Sequence, residues 1–89
     1  MIRVERRNGE KFEVTVSEQD SSTIHTVTLK DDYYQTLTEG KITEEYLVKK
    51  CFEFLLERED KESILSSFNV KVIKNYFPEF EQQIKGKIG

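Results

Sequence analysis

The sequence predicts an α+β fold in which an N-terminal three-stranded antiparallel meander is followed by three to four helices packed on one face. Apolar residues alternate with period two over the first third of the chain and recur every three or four residues over the rest. Such alternation gives a sheet one apolar face, which other elements have to cover. A chain of 89 residues has the size of a single domain, here 1–89.

The meander is predicted over residues 1–30. Asn8-Gly9, between two alternating segments, is a strong hairpin signal. A three-residue loop over 7–9 pairs Val4 with Phe12 and brings opposite charges together on the other face. The second turn is predicted near residues 20–21. In this register the apolar side chains of all three strands share one face.

The helical part is predicted over residues 31–85 and begins with two helices. Asp31 or Asp32 caps a short helix that ends before Gly40. Thr43 is the predicted N-cap of the main helix, with two glutamates in its first turn. The apolar stripe of this helix is wide. It predicts contact with more than one neighbour, either the sheet plus other helices or a second subunit.

Further helices are predicted in the last third of the chain. Asp60 is a candidate cap for a short helix around residues 63–68. A second apolar stripe runs from Val70 to Ile84, and Pro78 interrupts it. We therefore expect two more short helices, with Pro78 in the first turn of the second. Residues 86–89 are expected to form a frayed tail.

The charge balance bears on nucleic-acid binding. The formal net charge is −3, whereas a dedicated non-specific nucleic-acid binder usually shows a basic footprint. Four basic residues nevertheless form a candidate patch on the first hairpin: Arg3, Arg6, Arg7 and Lys11. The patch is suited to phosphate. The alternative is that the interleaved Glu5, Glu10 and Glu13 neutralise it, so nucleic acid is not the expected partner.

No combination of residues predicts catalysis. His25 is the only histidine and Cys51 the only cysteine, so a zinc site with the usual four protein ligands cannot form from them. We expect His25 at the edge of the sheet. Cys51 lies on an apolar helical stripe, which favours a buried, inert thiol. With no glycine-rich phosphate loop either, the sequence predicts a protein without enzyme activity, metal or cofactor.

The location predicted from the sequence is the cytoplasm. A single cysteine excludes an intramolecular disulfide and is compatible with a reducing compartment. The first residues lack the apolar core of a signal peptide. No stretch approaches the roughly 18 apolar residues that a membrane span needs.

Aromatic residues supply the candidate partner surface. Its predicted members are Tyr34, Tyr76, Phe77 and Phe80. Tyr33 and Leu37 lie four residues apart and are expected to face the core, which leaves Tyr34 more exposed. An exposed aromatic patch would mark a binding surface. The alternative is that these side chains cap the edges of the core.

Two resemblances extend these expectations. The segments FLLERE (54–59), ESILSSF (62–68) and YFPEFE (76–81) resemble a family of short bacterial proteins over the last two-thirds of the chain. That family has no assigned activity, so the resemblance implies a shared fold and surface and transfers no catalytic residue. The order of strand, short helix, turn and longer helix over residues 24–58 is similar to ribbon-helix-helix DNA-binding proteins. That second resemblance implies a dimer in which strand 24–29 pairs between chains.

These observations favour a small non-enzymatic interaction or regulatory module with an unidentified protein partner. The alternative is a dimeric, ribbon-helix-helix-like DNA-binding regulator or antitoxin, which requires an intersubunit ribbon from residues 24–29.

Overall fold

The amino-terminal third forms the predicted antiparallel meander in the computed structural model, which describes residues 1–88. Its strands are β1 (Ile2–Asn8), β2 (Lys11–Glu18) and β3 (Ser21–Thr28). A short fourth strand, β4 (Ser67–Asn69), pairs with β3 in parallel and completes a sheet of order β1-β2-β3-β4. The pattern of the sequence does not predict β4.

The register of the first hairpin differs from the prediction by two residues. Val4 lies opposite Val14 and not opposite Phe12, and the loop consists of residues 9–10, with an irregularity at Arg7. A shift of two residues keeps every side chain on the same face of the sheet. The hydrophobic pattern therefore could not distinguish the two registers, and the tighter turn with its bulge decides between them.

The second hairpin shows a similar difference. Glu18 pairs with Ser21, so the turn lies at Gln19 and Asp20, one residue earlier than predicted. Gln19 adopts the left-handed conformation, with a φ of 50°. This conformation allows the tight connection and is uncommon for a residue other than glycine or asparagine.

Two helices follow the meander, as predicted. They are α1 (Asp31–Thr38) and α2 (Glu44–Leu56). The predicted N-cap of α2 is confirmed, because the Thr43 hydroxyl accepts a hydrogen bond from the Tyr46 amide at 3.1 Å. The predicted aspartate cap of α1 is wrong, since the N-cap position is Lys30 and both aspartates lie in the first turn. There they complement the helix dipole.

The segment after α2 differs most from the prediction. Residues 63–68 do not form a helix: a 3₁₀ turn covers Lys61–Ser63, and β4 follows. The reason is a non-local contact, since the Thr26 amide donates to the Ser66 carbonyl at 2.8 Å. An open strand edge here outweighs local helical preference.

The chain ends in two short helices separated by Pro78. After a 3₁₀ turn over Val70–Val72 come α3 (Ile73–Tyr76) and α4 (Phe80–Ile88). Pro78 lies between the helices and not in the first turn of α4. The expected frayed tail is wrong for residues 86–88, which belong to α4, and Gly89 lies outside the described residues.

The helices cover the apolar face of the sheet, so the predicted fold class is confirmed. The side chains that are fully buried between the two layers include Phe12, Val14, Val27, Leu47, Phe52, Phe54, Phe80 and Ile84. No helix within residues 1–88 is both long enough and apolar enough to cross a membrane.

Candidate partner-binding groove

An apolar groove lies where α2 ends and the chain returns through β4 to α3. Its cavity has a volume of about 160 Å³. We call it the apolar groove, and it is lined by Leu55, Glu59, Ser63, Ile64, Leu65, Phe68, Val72, Ile73, Tyr76 and Phe77. Leu55, Ile64 and Ile73 are buried and form its base, whereas the outer residues are partly or largely exposed.

One wall of the groove is held in place by β3. The imidazole Nδ1 of His25 donates to the Leu65 carbonyl at 2.8 Å, since a carbonyl can only accept. Two residues further on, β4 begins, and Phe68 lies opposite Val27 on the apolar face. The Leu65 side chain remains 50% exposed. A large apolar side chain is therefore presented to solvent on a firmly anchored backbone.

The other wall is the turn and short helix of residues 70–76. The Asn69 side chain accepts a hydrogen bond from the Lys71 amide at 3.0 Å and caps this turn. Ile73 points into the core, whereas Tyr76 is 64% exposed. Phe77 is half-buried and packs edge-on against Phe54, with ring centroids 5.9 Å apart.

Arg58 and Glu59, at the end of α2, are adjacent in sequence and differ in their contacts. The Arg58 guanidinium lies 3.0 Å from Glu79, donates to the Phe54 carbonyl at 3.1 Å and stacks on the Phe54 ring. A hydrogen bond from its own amide, and then Arg58, lower the pKa of Glu79. Glu59 lines the groove, and its carboxylate makes no ion pair or hydrogen bond with residues 1–88.

Two of the four predicted surface aromatics lie together in the groove. Tyr76 and Phe77 both line it. Phe80 is fully buried, with its ring 5.1 Å from that of Phe54, so it belongs to the core and its predicted place on the surface is wrong. Tyr34 is half-buried on α1, where its hydroxyl donates to the Ile42 carbonyl, and it does not line the groove.

The predicted basic patch is largely neutralised within the chain. Arg6 lies 2.6 Å from Glu44 and 3.4 Å from Glu45, and Arg3 lies 3.3 Å from Glu5. Arg7 is paired with Glu13 and lies 3.6 Å from Glu5. The hydrogen bond that Arg6 donates to Glu44 raises the pKa of Arg6, and the one that Arg7 donates to Glu13 raises the pKa of Arg7. Lys11 alone of the four has no ion pair with residues 1–88, so three of the four basic groups already have an acidic partner within the chain.

The one histidine and the one cysteine of the chain are both enclosed. His25 is 2% exposed on the apolar face of the sheet, next to the part of β3 that pairs with β4, and its Nε2 lies 2.8 Å from the Thr23 hydroxyl. Cys51 is fully buried, and burial raises the pKa of its thiol. Among residues 1–88 there is no group of three or more histidine, cysteine or acidic side chains arranged to hold a metal.

The strand that a ribbon-helix-helix dimer would pair between chains is paired within this chain. β2 pairs along the whole length of β3 on one side. On the other side, Thr26–Thr28 pair with β4. An intersubunit ribbon through residues 24–29 would have to displace these contacts, so the structure does not favour the DNA-binding alternative.

The sequence did not mark Leu65 and Glu59 as members of a binding surface, although both line the groove. Leu65 follows the buried Ile64, and in an irregular segment two consecutive side chains point in different directions, which is a weak signal that one is exposed. Glu59 lies in a run of six charged residues over 57–62, and nothing in the run distinguishes it from its neighbours.

Comparisons with family models, with curated protein sequences and with solved structures found no match to this chain. Both sequence resemblances therefore stay predictions.

Proposed function

We propose that this chain is a small, non-enzymatic interaction module that binds a partner protein through the apolar groove. The observation that carries the proposal is the pair of exposed side chains beside the cavity, Leu65 at 50% and Tyr76 at 64% exposure. Exposed apolar side chains grouped around a concave site mark binding surfaces, and tyrosine is enriched among the residues that contribute most to binding. The anchored backbone on both sides keeps the site open before the partner arrives.

The size of the cavity favours a side chain over a metabolite. Pockets for small-molecule ligands usually measure roughly 300–1,000 Å³. The groove holds about 160 Å³, and an apolar cavity of about 150 Å³ admits a molecule the size of benzene. One leucine, methionine or phenylalanine side chain of a partner therefore fits.

The enclosure of His25 and Cys51 supports a role without catalysis. Both lie away from solvent, and neither lines the groove. The groove itself has one carboxylate, at Glu59, and two hydroxyls, at Ser63 and Tyr76, with no histidine, cysteine or lysine among its lining residues. A free thiol also fits the proposed cytoplasmic setting, since reducing compartments keep cysteines unpaired.

A peptide-display selection tests this proposal. Phage carrying random peptides of about 12 residues are selected on the wild-type protein and counter-selected on Tyr76→Ala, and the enriched peptides are synthesised. We expect their affinity, measured by calorimetry, to fall more than roughly tenfold in Tyr76→Ala and in Leu65→Ser. Tyr46→Ala is the matched control, because Tyr46 is also an exposed tyrosine (44%) but lies in the first turn of α2, outside the groove.

Two results would overturn the proposal. The first is an enriched set that binds wild type, Tyr76→Ala and Tyr46→Ala equally well, or no enrichment at all. The second comes from sedimentation equilibrium across a concentration series. A dimer that Tyr76→Ala dissociates would show that a second copy of the chain occupies the groove.

A further inference from the structure

We infer that the partner segment is basic, with a lysine or arginine beside its apolar anchor, and that Glu59 provides the opposite charge. This inference rests on the proposed function and specifies the class of partner. The partner is an amphipathic peptide segment that places one apolar side chain over Leu55 and Ile64 and an ammonium or guanidinium group at the Glu59 carboxylate.

Glu59 is exceptional among the glutamates of this chain. Within residues 1–88, every other glutamate lies within 3.8 Å of a lysine or arginine nitrogen. Glu59 has no such partner, although it is half-buried and Arg58 is its neighbour in sequence. A chain that pairs its glutamates so consistently leaves this one free at the edge of an apolar cavity.

The position of Glu59 at the end of α2 is also unfavourable for its negative charge. α2 ends at Leu56, and the Glu59 amide donates to the Leu55 carbonyl at 2.9 Å, which places the residue beside the carbonyl end of the helix. That end carries partial negative charge and disfavours a carboxylate. A residue that conflicts with its local surroundings is expected at functional sites, where binding supplies the missing interaction. A cation of the partner would form the ion pair that Glu59 lacks and would offset the partial negative charge of the helix end.

The charge of the groove selects against acidic partners. Glu59 is the only charged residue among those that line the cavity. Asp60, which follows it, is exposed and has no ion pair with residues 1–88. An acidic peptide, an anionic lipid or a nucleic acid would bring like charge to this rim, which costs binding free energy. A basic peptide would gain a charge-assisted hydrogen bond next to its buried anchor.

The test uses the peptides selected on the groove, their analogues and two matched variants. In each peptide, every lysine or arginine is replaced in turn by glutamine. On the protein side, Glu59→Gln is compared with Glu57→Gln, which changes the net charge equally but removes a carboxylate already 3.3 Å from Arg58 and 3.4 Å from Lys87. Urea unfolding of both variants verifies that they remain folded.

We expect lysine or arginine to be enriched beside the apolar anchor. Glu59→Gln lowers the affinity roughly five- to tenfold, and Glu57→Gln changes it by less than about twofold. The peptide in which the pairing lysine or arginine is replaced by glutamine should bind Glu59→Gln and wild type with equal affinity. The double-mutant cycle requires this, because that peptide can no longer pair with Glu59. Raising the salt concentration weakens binding to wild type more than to Glu59→Gln.

The outcomes separate this inference from the proposed function. Peptides that depend on Tyr76 and Leu65 but show no basic preference and no effect of Glu59→Gln would overturn the basic-partner inference and leave the interaction module standing. Equal losses in Glu59→Gln and Glu57→Gln would also overturn it, because they would indicate a general charge effect. If no peptide depends on the groove, both the inference and the proposed function are wrong.

Discussion

The first hairpin and the apolar groove differ in whether their charged side chains are paired within the chain. On the hairpin, Arg6 reaches across to Glu44 at 2.6 Å and Arg7 pairs with Glu13, so charges that looked available to a ligand are occupied within the chain. In the groove, Glu59 is unpaired with residues 1–88, and Tyr76 is exposed beside it. A dense cluster of charge is therefore a weaker indication of a binding site than one group that the fold leaves unsatisfied.

The two regions also differ in how much their contacts contribute to the free energy of unfolding. Exposed ion pairs such as those of the hairpin contribute roughly 0.2–1 kcal/mol each to the free energy of unfolding. The apolar contacts behind the groove contribute several times more, because they remove large aromatic surfaces from water. Substitutions in the two regions should therefore separate into those that affect stability, those that affect binding and those that affect neither.

The largest effect is expected for Phe80→Ala. Phe80 is fully buried and packs against Phe54, so its truncation should lower the free energy of unfolding by about 3–5 kcal/mol, measured by urea denaturation. Tyr76→Ala, four residues earlier, should change it by less than about 0.5 kcal/mol, because Tyr76 is mostly exposed. If Phe80→Ala does not fold, Phe80→Leu provides a smaller loss of about 1.5 kcal/mol or less. Similar losses in Tyr76→Ala and Phe80→Ala would contradict the separation of surface from core.

The second largest effect is expected for His25→Ala, which tests whether β3 holds the Leu65 wall of the groove in place. His25→Ala removes a ring packed 5.3 Å from Phe52 and the donor to the Leu65 carbonyl. The free energy of unfolding should fall by about 2–4 kcal/mol. Hydrogen exchange of the Thr26 amide, which donates to the Ser66 carbonyl, should become faster than global unfolding requires. His25→Gln keeps a hydrogen-bond donor and should show a smaller change in both measurements. If the exchange of the Thr26 amide is unchanged in His25→Ala, the hydrogen bond to Leu65 is not needed to hold this wall in place.

The sequence predicted the parts of the fold that depend on local pattern. Period-two alternation predicted β1 to β3, and the Thr43 cap predicted the start of α2. β4 could not be predicted, because its pairing joins residues 67–69 to 26–28, about 40 positions earlier in the chain. No local signal marks such a parallel contact. The apolar spacing of residues 64–68 suits a helix equally well.

The candidate site was predicted only in part for a related reason. Phe77 and Phe80 share one apolar stripe at helical spacing, but Pro78 separates α3 from α4, so the two residues do not follow one helical face. One lines the groove and the other is fully buried. Glu59 could not be recognised either, since whether a charge is paired depends on the positions of cations distant in sequence, and only the folded chain shows them.

A smaller effect is expected for Tyr33→Phe, which removes a contact between α1 and α4. The Tyr33 hydroxyl donates to Glu81 at 2.7 Å, and its loss should cost about 0.5–1.5 kcal/mol at neutral pH. Burial, and then Glu81, raise the pKa of Tyr33 above its usual value. The neutral hydroxyl therefore favours folding below about pH 10, the pKa in unfolded chains, and this stabilisation is lost as the pH rises. The urea midpoint of Tyr33→Phe should depend less on pH above pH 10 than that of the wild type, and equal slopes would contradict this assignment.

The smallest effect is expected on the hairpin itself, with Arg6→Gln. Its side chain lies over the Phe12 ring at 4.8 Å and pairs with two glutamates of α2, yet it is 37% exposed. The free energy of unfolding should fall by less than about 1 kcal/mol, and the difference from wild type should shrink between about 0.05 M and 0.5 M salt. Arg3→Gln is the control, because Arg3 is 71% exposed and pairs only with Glu5 on its own strand. Affinity for groove-selected peptides should stay unchanged in both variants. If Arg6→Gln weakened peptide binding as much as Glu59→Gln, the hairpin charges would take part in recognition and the contrast between the two regions would fail.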